Sequence, residues 1–298
     1  MQNNKTKFVF FGTGDFAARI LDYLHKNDLC PMLIVTTPDK PRGRKMLLTP
    51  PPVKLWAQKN NIKTITDYSL LTTSYSLFII ADYGKIIPKH ILNIPIHGCL
   101  NIHPSLLPKF RGPSPIQSFI LSEEQKTGVT IILMAEKVDA GPIVAISNFK
   151  SQILNLYYKE LEAKLAELGA KLLIETLPKW IKQEIKPQEQ DHSQATYTKK
   201  ITKEDGLIKT EDSPKIIDRK VRAFTPWPGV YFFVYPPKCK SFGGQDNKKI
   251  RIIITKSEIK NGKLIIKRIK PEGKNEMPFN DFLKGNKDLE PQIQKLTN

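Results

Sequence analysis

Through its first 134 residues the chain keeps switching between two apolar periodicities, and this alternation constrains the fold more than any other feature. Short apolar runs at Lys7–Phe11, Met32–Thr36, Ile62–Ile65, Leu77–Ala81, Cys99–His103 and Val129–Met134 read as strands, several apolar throughout as in sheets buried on both faces. Between them, Asp15–Lys26, Val53–Asn60, Pro88–Leu92 and Ser114–Leu121 read as helical; Phe16, Ile20, Leu21 and Leu24 fall on one face of the first. The pattern predicts an α/β domain of Rossmann-like form, a mostly parallel sheet with helices on both faces. A long helix over Asn155–Trp180 follows, with Leu161, Leu165, Leu168, Leu172 and Ile174 on its apolar side.

Elsewhere the texture differs. Pro38–Pro52 holds five prolines, one glycine and four basic residues, and is expected to be irregular. Lys186–Lys200 loses periodicity and reads as a linker. After Gly206, Val230–Tyr235, Ile250–Thr255 and Lys263–Ile269 are β-rich and suggest a small antiparallel sheet or OB-like β-barrel. Phe282–Asn298 is polar and expected to be peripheral. The expected division is therefore 1–186, a linker over 187–205, and a C-terminal β domain over 206–298.

Charge bears on partners. The chain has 47 basic and 29 acidic residues, a formal net charge of +18. Such a balance suits a polyanion such as nucleic acid, although a lysine-rich soluble surface gives the same number. Residues 206–298 carry 20 Lys/Arg against 10 Asp/Glu, so the last third is more than twice as basic per residue as the rest. No run of about 18 apolar residues occurs, so no membrane span is expected. The polar start before Phe8 suggests neither a signal peptide nor a transit segment. Cys30, Cys99 and Cys239 are few, odd in number and scattered; neither a disulfide framework nor a metal site is expected, and the cytoplasm is the expected compartment.

Two motifs compete for the chemistry. Gly12-Thr13-Gly14-Asp15-Phe16-Ala17 fits the dinucleotide fingerprint between a strand and a helix. The acidic residue that should follow the second strand can only be Asp39, inside the proline-rich basic loop, so a tight turn near a ligand explains these glycines more simply. Asn101 and His103, two apart on one strand, share a face near its carboxyl end. Asp139 follows the next strand and can meet them. An amide can donate to an oxyanion, an imidazole can donate or take a proton, and a carboxylate can orient the imidazole and favour its charged form. That set suits acyl transfer. Cys99 lies on the same face, but nothing local marks its thiolate as stabilised.

Taken together, Gly12-Thr13, Asp15-Phe16-Ala17, Asn101-x-His103, Ser105-Leu106-Leu107-Pro108, Arg111-Gly112, Gly128-Val129-Thr130 and Asp139-x-Gly141 resemble the folate-dependent formyltransferases. Pro38–Arg44, Ala195–Gly206 and Arg222–Gly229 are similar to segments of the branch whose acceptor is methionyl-tRNA, and the resemblance covers nearly the whole chain. It implies 10-formyltetrahydrofolate as co-substrate and methionyl-tRNA as partner, with Asn101, His103 and Asp139 catalytic. It also implies Ser105, Leu106, Leu107, Pro108, Tyr83 and Gly84 in the folate site, and Lys40, Arg42, Arg44 and Lys45 on the tRNA. The β-rich C-terminal domain would support the tRNA contact, and the chain is expected to act as a monomer. Gly14, Asp82 and Lys137 depart from the family pattern, which favours proline, a small apolar residue and glycine there. The alternatives are a folate-dependent enzyme acting on an amino sugar or nucleotide precursor, and an inactive nucleic-acid-binding relative.

Overall fold

The computed structural model describes residues 7–43, 46–71, 75–149, 153, 155–235 and 249–297, with backbone only at Arg42 and at 294–297. In chain order the first elements are β1 (Phe8–Gly12), α1 (Asp15–His25), β2 (Leu33–Val35), β3 (Lys40–Arg42), β4 (Leu47–Thr49), α2 (Pro52–Lys59) and β5 (Thr64–Ile65). Then come β6 (Leu77–Ala81), α3 (Lys89–Leu92), β7 (Cys99–His103), α4 (Pro115–Leu121), β8 (Gly128–Leu133), β9 (Ile143–Asn148) and α5 (Tyr158–Ile181). The remainder holds α6 (Pro214–Phe224), β10 (Val230–Val234), β11 (Ile250–Lys260), β12 (Lys263–Pro271), β13 (Met277–Pro278), α7 (Phe279–Lys284) and α8 (Glu290–Thr297).

Seven strands form one sheet in the order β5-β2-β1-β6-β7-β8-β9. The first five run parallel. β1 and β6 are buried at every position, which explains why they read as unbroken apolar runs. One face packs Val9, Phe11, Val35, Phe78, Ile80 and Cys99 against Ile87 and Ile91, the latter on α3. On the other face Ile102 meets α5, where a Cβ added to Gly169 would lie 2.9 Å from the Ile102 side chain. Asn101 and His103 therefore stand on the face opposite Ile102, as strand alternation requires.

β8 departs from the alternation, for it pairs antiparallel with β7, and β9 pairs antiparallel with β8. β9 was not foreseen although residues 143–146, Ile-Val-Ala-Ile, are apolar; the run is short and its burial alternates in the fold. The proline-rich loop also differs from expectation. Lys40–Arg42 and Leu47–Thr49 form a two-stranded antiparallel ladder with Pro41 opposite Leu48. An isolated hairpin has free edges on which a proline loses nothing, and Gly43 turns at φ 72°. Because β2 is parallel to β1, β6 and β7, this hairpin leaves the same rim of the sheet as the loops after those strands.

The chain divides into two compact units. The first gathers the described residues of 1–115, 125–152 and 160–199; the second gathers those of 116–124, 153–159 and 200–298. The segment read as a linker is thus partly ordered on the first unit, where Gln188 bridges Ile143 and Arg111 bridges Tyr197. The second unit contains an antiparallel sheet, β10-β11-β12-β13, with α6 packed on β11 and β12. Asp218 of α6 is held by Arg222 at 2.9 Å and by Ser257 of β11 at 2.8 Å. The tail is less peripheral than its polarity suggested: Phe282, Leu289 and Ile293 are all buried. These three apolar residues are spaced seven and four apart, too sparse to stand out among charges. No described helix is long and apolar enough to cross a membrane.

Candidate active site

β7 carries Asn101 and His103 to the carboxyl end of the parallel strands. Ser105 continues from them with its N–H donating to the His103 carbonyl at 2.9 Å. Asp139 arrives by a longer route than expected. Since β8 is antiparallel, the loop after it leaves beside Cys99 and Leu100, and Met134 N–H donates to the Cys99 carbonyl at 2.8 Å. The loop then folds back, with Asp139 itself in a left-handed conformation at φ 50°. The result is the convergence the sequence called for. Asn101 Nδ2 donates to Asp139 Oδ1 at 3.3 Å, and His103 Nδ1 lies 3.6 Å from Asp139 Oδ2.

Two of the three are also fixed from outside the set. His103 is 4% exposed, and its Nε2 lies 3.0 Å from the Phe110 carbonyl. A carbonyl only accepts, so Nε2 carries a proton and donates; Nδ1 is the nitrogen left facing Asp139. Asp139 Oδ2 also accepts the Gly112 N–H at 2.8 Å. Gly112 sits at φ 108°, and a Cβ there would come within 2.9 Å of Thr198 Oγ1, so glycine is required both by conformation and by space.

Sequence reasoning did not assign the neighbours that do this holding. Arg111 is 2% exposed, and its Nε and Nη2 donate to Gln190 Oε1 at 3.2 and 2.6 Å. Its Nη2 also lies 2.9 Å from His192 Nδ1, and its guanidinium stands over the Tyr197 ring at 5.9 Å. Gln190 and His192 come from a stretch without periodicity, and no signal in the sequence singled them out. Arg111 did carry one, its place in the motif beside Gly112.

The expected folate residues divide. Ser105 is fully buried, its hydroxyl donating to the Lys109 carbonyl at 2.7 Å. Thr130 of β8 accepts the Leu107 N–H at 3.1 Å and donates to the Ser105 carbonyl at 2.7 Å, so residues 105–109 form a braced turn. Leu107 is buried, whereas Leu106 and Pro108 are partly exposed. Tyr83 turns into the core, edge-on to Phe11 at 5.5 Å, and burial pushes its phenol pKa up. Its backbone remains at the rim, where its carbonyl accepts from Thr13 Oγ1 at 2.9 Å, next to exposed Gly84. Of the basic residues, Lys40 is exposed on β3 and Arg42 lies on the same strand. The Arg42 side chain, Arg44 and Lys45 lie outside the described residues.

Two of the departures from the family pattern meet each other. A Cβ built on Gly14 would fall on the Asp82 carboxylate, so a residue with a side chain at 14 would have to displace it. Asp39 is paired with Lys54 at 2.8 Å, which leaves it engaged rather than waiting for a ribose. Lys89 and Glu136 also pair, on the loop that leads to Asp139. Cys99 faces the Leu92 carbonyl, and burial pushes its thiol up to about 12, which removes it as a nucleophile near neutral pH. Trp227, between Pro226 and Pro228, is 53% exposed.

An open α/β sheet presenting an amide, an imidazole and a carboxylate at one rim defines a group-transfer enzyme acting on a carbonyl-like centre. Residues 6–177 match the family model described as formyl transferase, and residues 200–287 match formyl transferase, C-terminal domain. The chain belongs to the formyl transferase family. It is 40% identical to a methionyl-tRNA formyltransferase of Thermotoga maritima over 80% of this chain and 78% of that protein. A methionyl-tRNA formyltransferase of Caldicellulosiruptor saccharolyticus is 36% identical, covering 94% of this chain and 96% of its own. In fold, the chain is similar to a methionyl-tRNA formyltransferase from Clostridium thermocellum, with TM-score 0.58 and 18% identity over 89% of this chain and 98% of that one. A sugar 3N-formyl transferase, WlaRD, is comparable in fold, with TM-score 0.59 and 19% identity over 89% and 94% of the two chains.

Proposed function

We propose that this protein transfers the formyl group of 10-formyltetrahydrofolate to the α-amino group of methionyl-tRNA. The observation that carries the reading is the meeting of Asn101, His103 and Asp139 within 3.3 and 3.6 Å at the rim of the sheet. Similarity to methionyl-tRNA formyltransferases along nearly the whole chain supports the choice of acceptor.

The reaction needs little beyond placement and charge stabilisation. The neutral amine attacks the formyl carbon; a new C–N bond forms and the formyl oxygen becomes negative. Asn101 Nδ2, whose bond to Asp139 is long at 3.3 Å, turns to that oxygen at small cost. His103 Nδ1 takes the amine's surplus proton, because its Nε2 is already protonated and held by Phe110. Asp139 stabilises the resulting imidazolium. As the bond from carbon to the folate N10 breaks, the proton passes from Nδ1 to that nitrogen, and formylated acceptor and tetrahydrofolate leave.

The braced turn at 105–109 and the backbone at Tyr83-Gly84 border this rim and form our candidate donor site. Lys40, Arg42, Arg44 and Lys45 are our candidates for phosphate contact; Lys40 and Arg42 belong to β3, whose hairpin rises from the same rim. In the second unit, Tyr231 and Phe233 lie edge to face at 5.7 Å, with Arg251 and Lys249 over their rings at 5.6 and 4.4 Å. Aromatic rings interleaved with cations suit unpaired bases and phosphates. The working division is catalysis in residues 1–186, a connection over 187–205 and tRNA support from 206–298. A monomer working in the cytoplasm fits this reading.

One assay tests it: purified protein with 10-formyltetrahydrofolate and either charged methionyl-tRNA or an amino-sugar nucleotide, scored for formylated product. Product on the tRNA alone is the expected outcome. Product on the sugar alone, or on neither, refutes the proposal.

A further inference from the structure

Gln190 occupies an unusual position. It lies in the stretch that reads as a linker, yet it is 5% exposed and uses both ends of its amide. Its Oε1 accepts two bonds from buried Arg111. Its Nε2 donates to the carbonyls of Asp139 at 2.9 Å and Gly141 at 2.7 Å. The orientation of the amide is unambiguous, because guanidinium only donates and carbonyls only accept. Asp139 is thus held twice: through its carboxylate by the Gly112 N–H, and through its backbone by Gln190. Gly112 follows Arg111 directly, so both restraints trace to one buried cation and its neighbour. Asp139 needs such restraint, since its left-handed backbone is not one a loop adopts freely.

We propose that Gln190 is a positioning residue for the reaction. It couples buried Arg111 to the Asp139 loop and so holds the carboxylate in register with Asn101 and His103. The segment after α5 is on this account a structural part of the active site. The inference rests on the catalytic reading of Asp139 given above.

Gln190→Glu separates the two ends of the amide. A glutamate keeps an acceptor for Arg111 but sets a carboxylate oxygen against two carbonyls, so the Asp139 loop should be released while the cation stays satisfied. Misplacing a catalytic group by about 1 Å costs about 100-fold in rate. We expect kcat to fall by about that factor with KM for both substrates unchanged. The Gly112 amide should exchange with solvent at least about tenfold faster, while amides of β7 keep their protection. In an Asp139→Asn background, Gln190→Glu should cost no further activity, because its effect runs through Asp139. Gln190→Met, near in shape and without either function, should reproduce these results if the glutamate variant folds poorly. Wild-type kcat with unchanged Gly112 exchange would overturn the proposal, as would a loss that multiplies with Asp139→Asn. Full activity in Asp139→Asn alone would instead overturn the catalytic reading, and Gly112 exchange would still decide whether Gln190 holds the loop.

Discussion

Among the three converging side chains Asn101 alone cannot titrate, so its contribution is a fixed dipole. Removing one oxyanion donor typically costs about 10²–10³ in rate. Asn101→Ala is expected to lose about that much kcat with an unchanged melting temperature, since the side chain is only partly buried; steady-state kinetics and thermal unfolding check both halves. Cys99 makes a pH prediction of opposite character. Burial lifts its thiol above the unfolded value, so the folded state keeps a proton that the unfolded state gives up. Its contribution to stability is complete below the unfolded pKa of about 8.5 and fades as pH climbs towards about 12. Alkylation of the native protein at pH 8 should therefore label exposed Cys30 and spare Cys99 until denaturant is added, as peptide mass mapping would report. The sequence showed which residue types could meet. It did not show that the two departures at 14 and 82 touch, because contact between residues so far apart belongs to packing.

At the scale of elements, the hairpin of β3 and β4 has the clearest consequence. It was legible as a basic, proline-rich segment but not as a ladder, since prolines argue against strands except where an edge is free. Replacing Lys40 and Arg42 together by alanine should weaken tRNA binding and reduce the slope of log affinity against log salt by about 2, roughly one unit for each lost phosphate contact. Turnover at saturating tRNA should stay near normal. Filter binding across a salt series measures the slope, and an unchanged slope removes these residues from the interface. β1 and β6 were fully readable because strands buried on both faces are apolar throughout. α6 was missed for the reverse reason: one face is open, and Lys215, Asp218, Arg219, Lys220 and Arg222 dilute its apolar signal.

For the whole molecule, a net charge of +18 makes association with a polyanion a matter of counterion release. Apparent affinity for methionyl-tRNA should fall steeply between 50 and 200 mM salt, by about 10³ or more if at least six phosphates are contacted. The KM for the folate donor should move far less, which initial-rate measurements over that range will establish. Composition, strand alternation and the short motifs were enough to give the class of fold and the three side chains that meet at the rim. All of these are written in local order along the chain: periodicity is set by which face of an element is buried, and the motifs lie within a few residues of one another. Only the folded structure decided that β8 runs antiparallel, that Asp139 must return to the rim, and that Gln190 and Arg111 hold it there. The last of these depends on hydrogen bonds between residues 51 and 79 positions apart, and no local pattern records a partner at that distance.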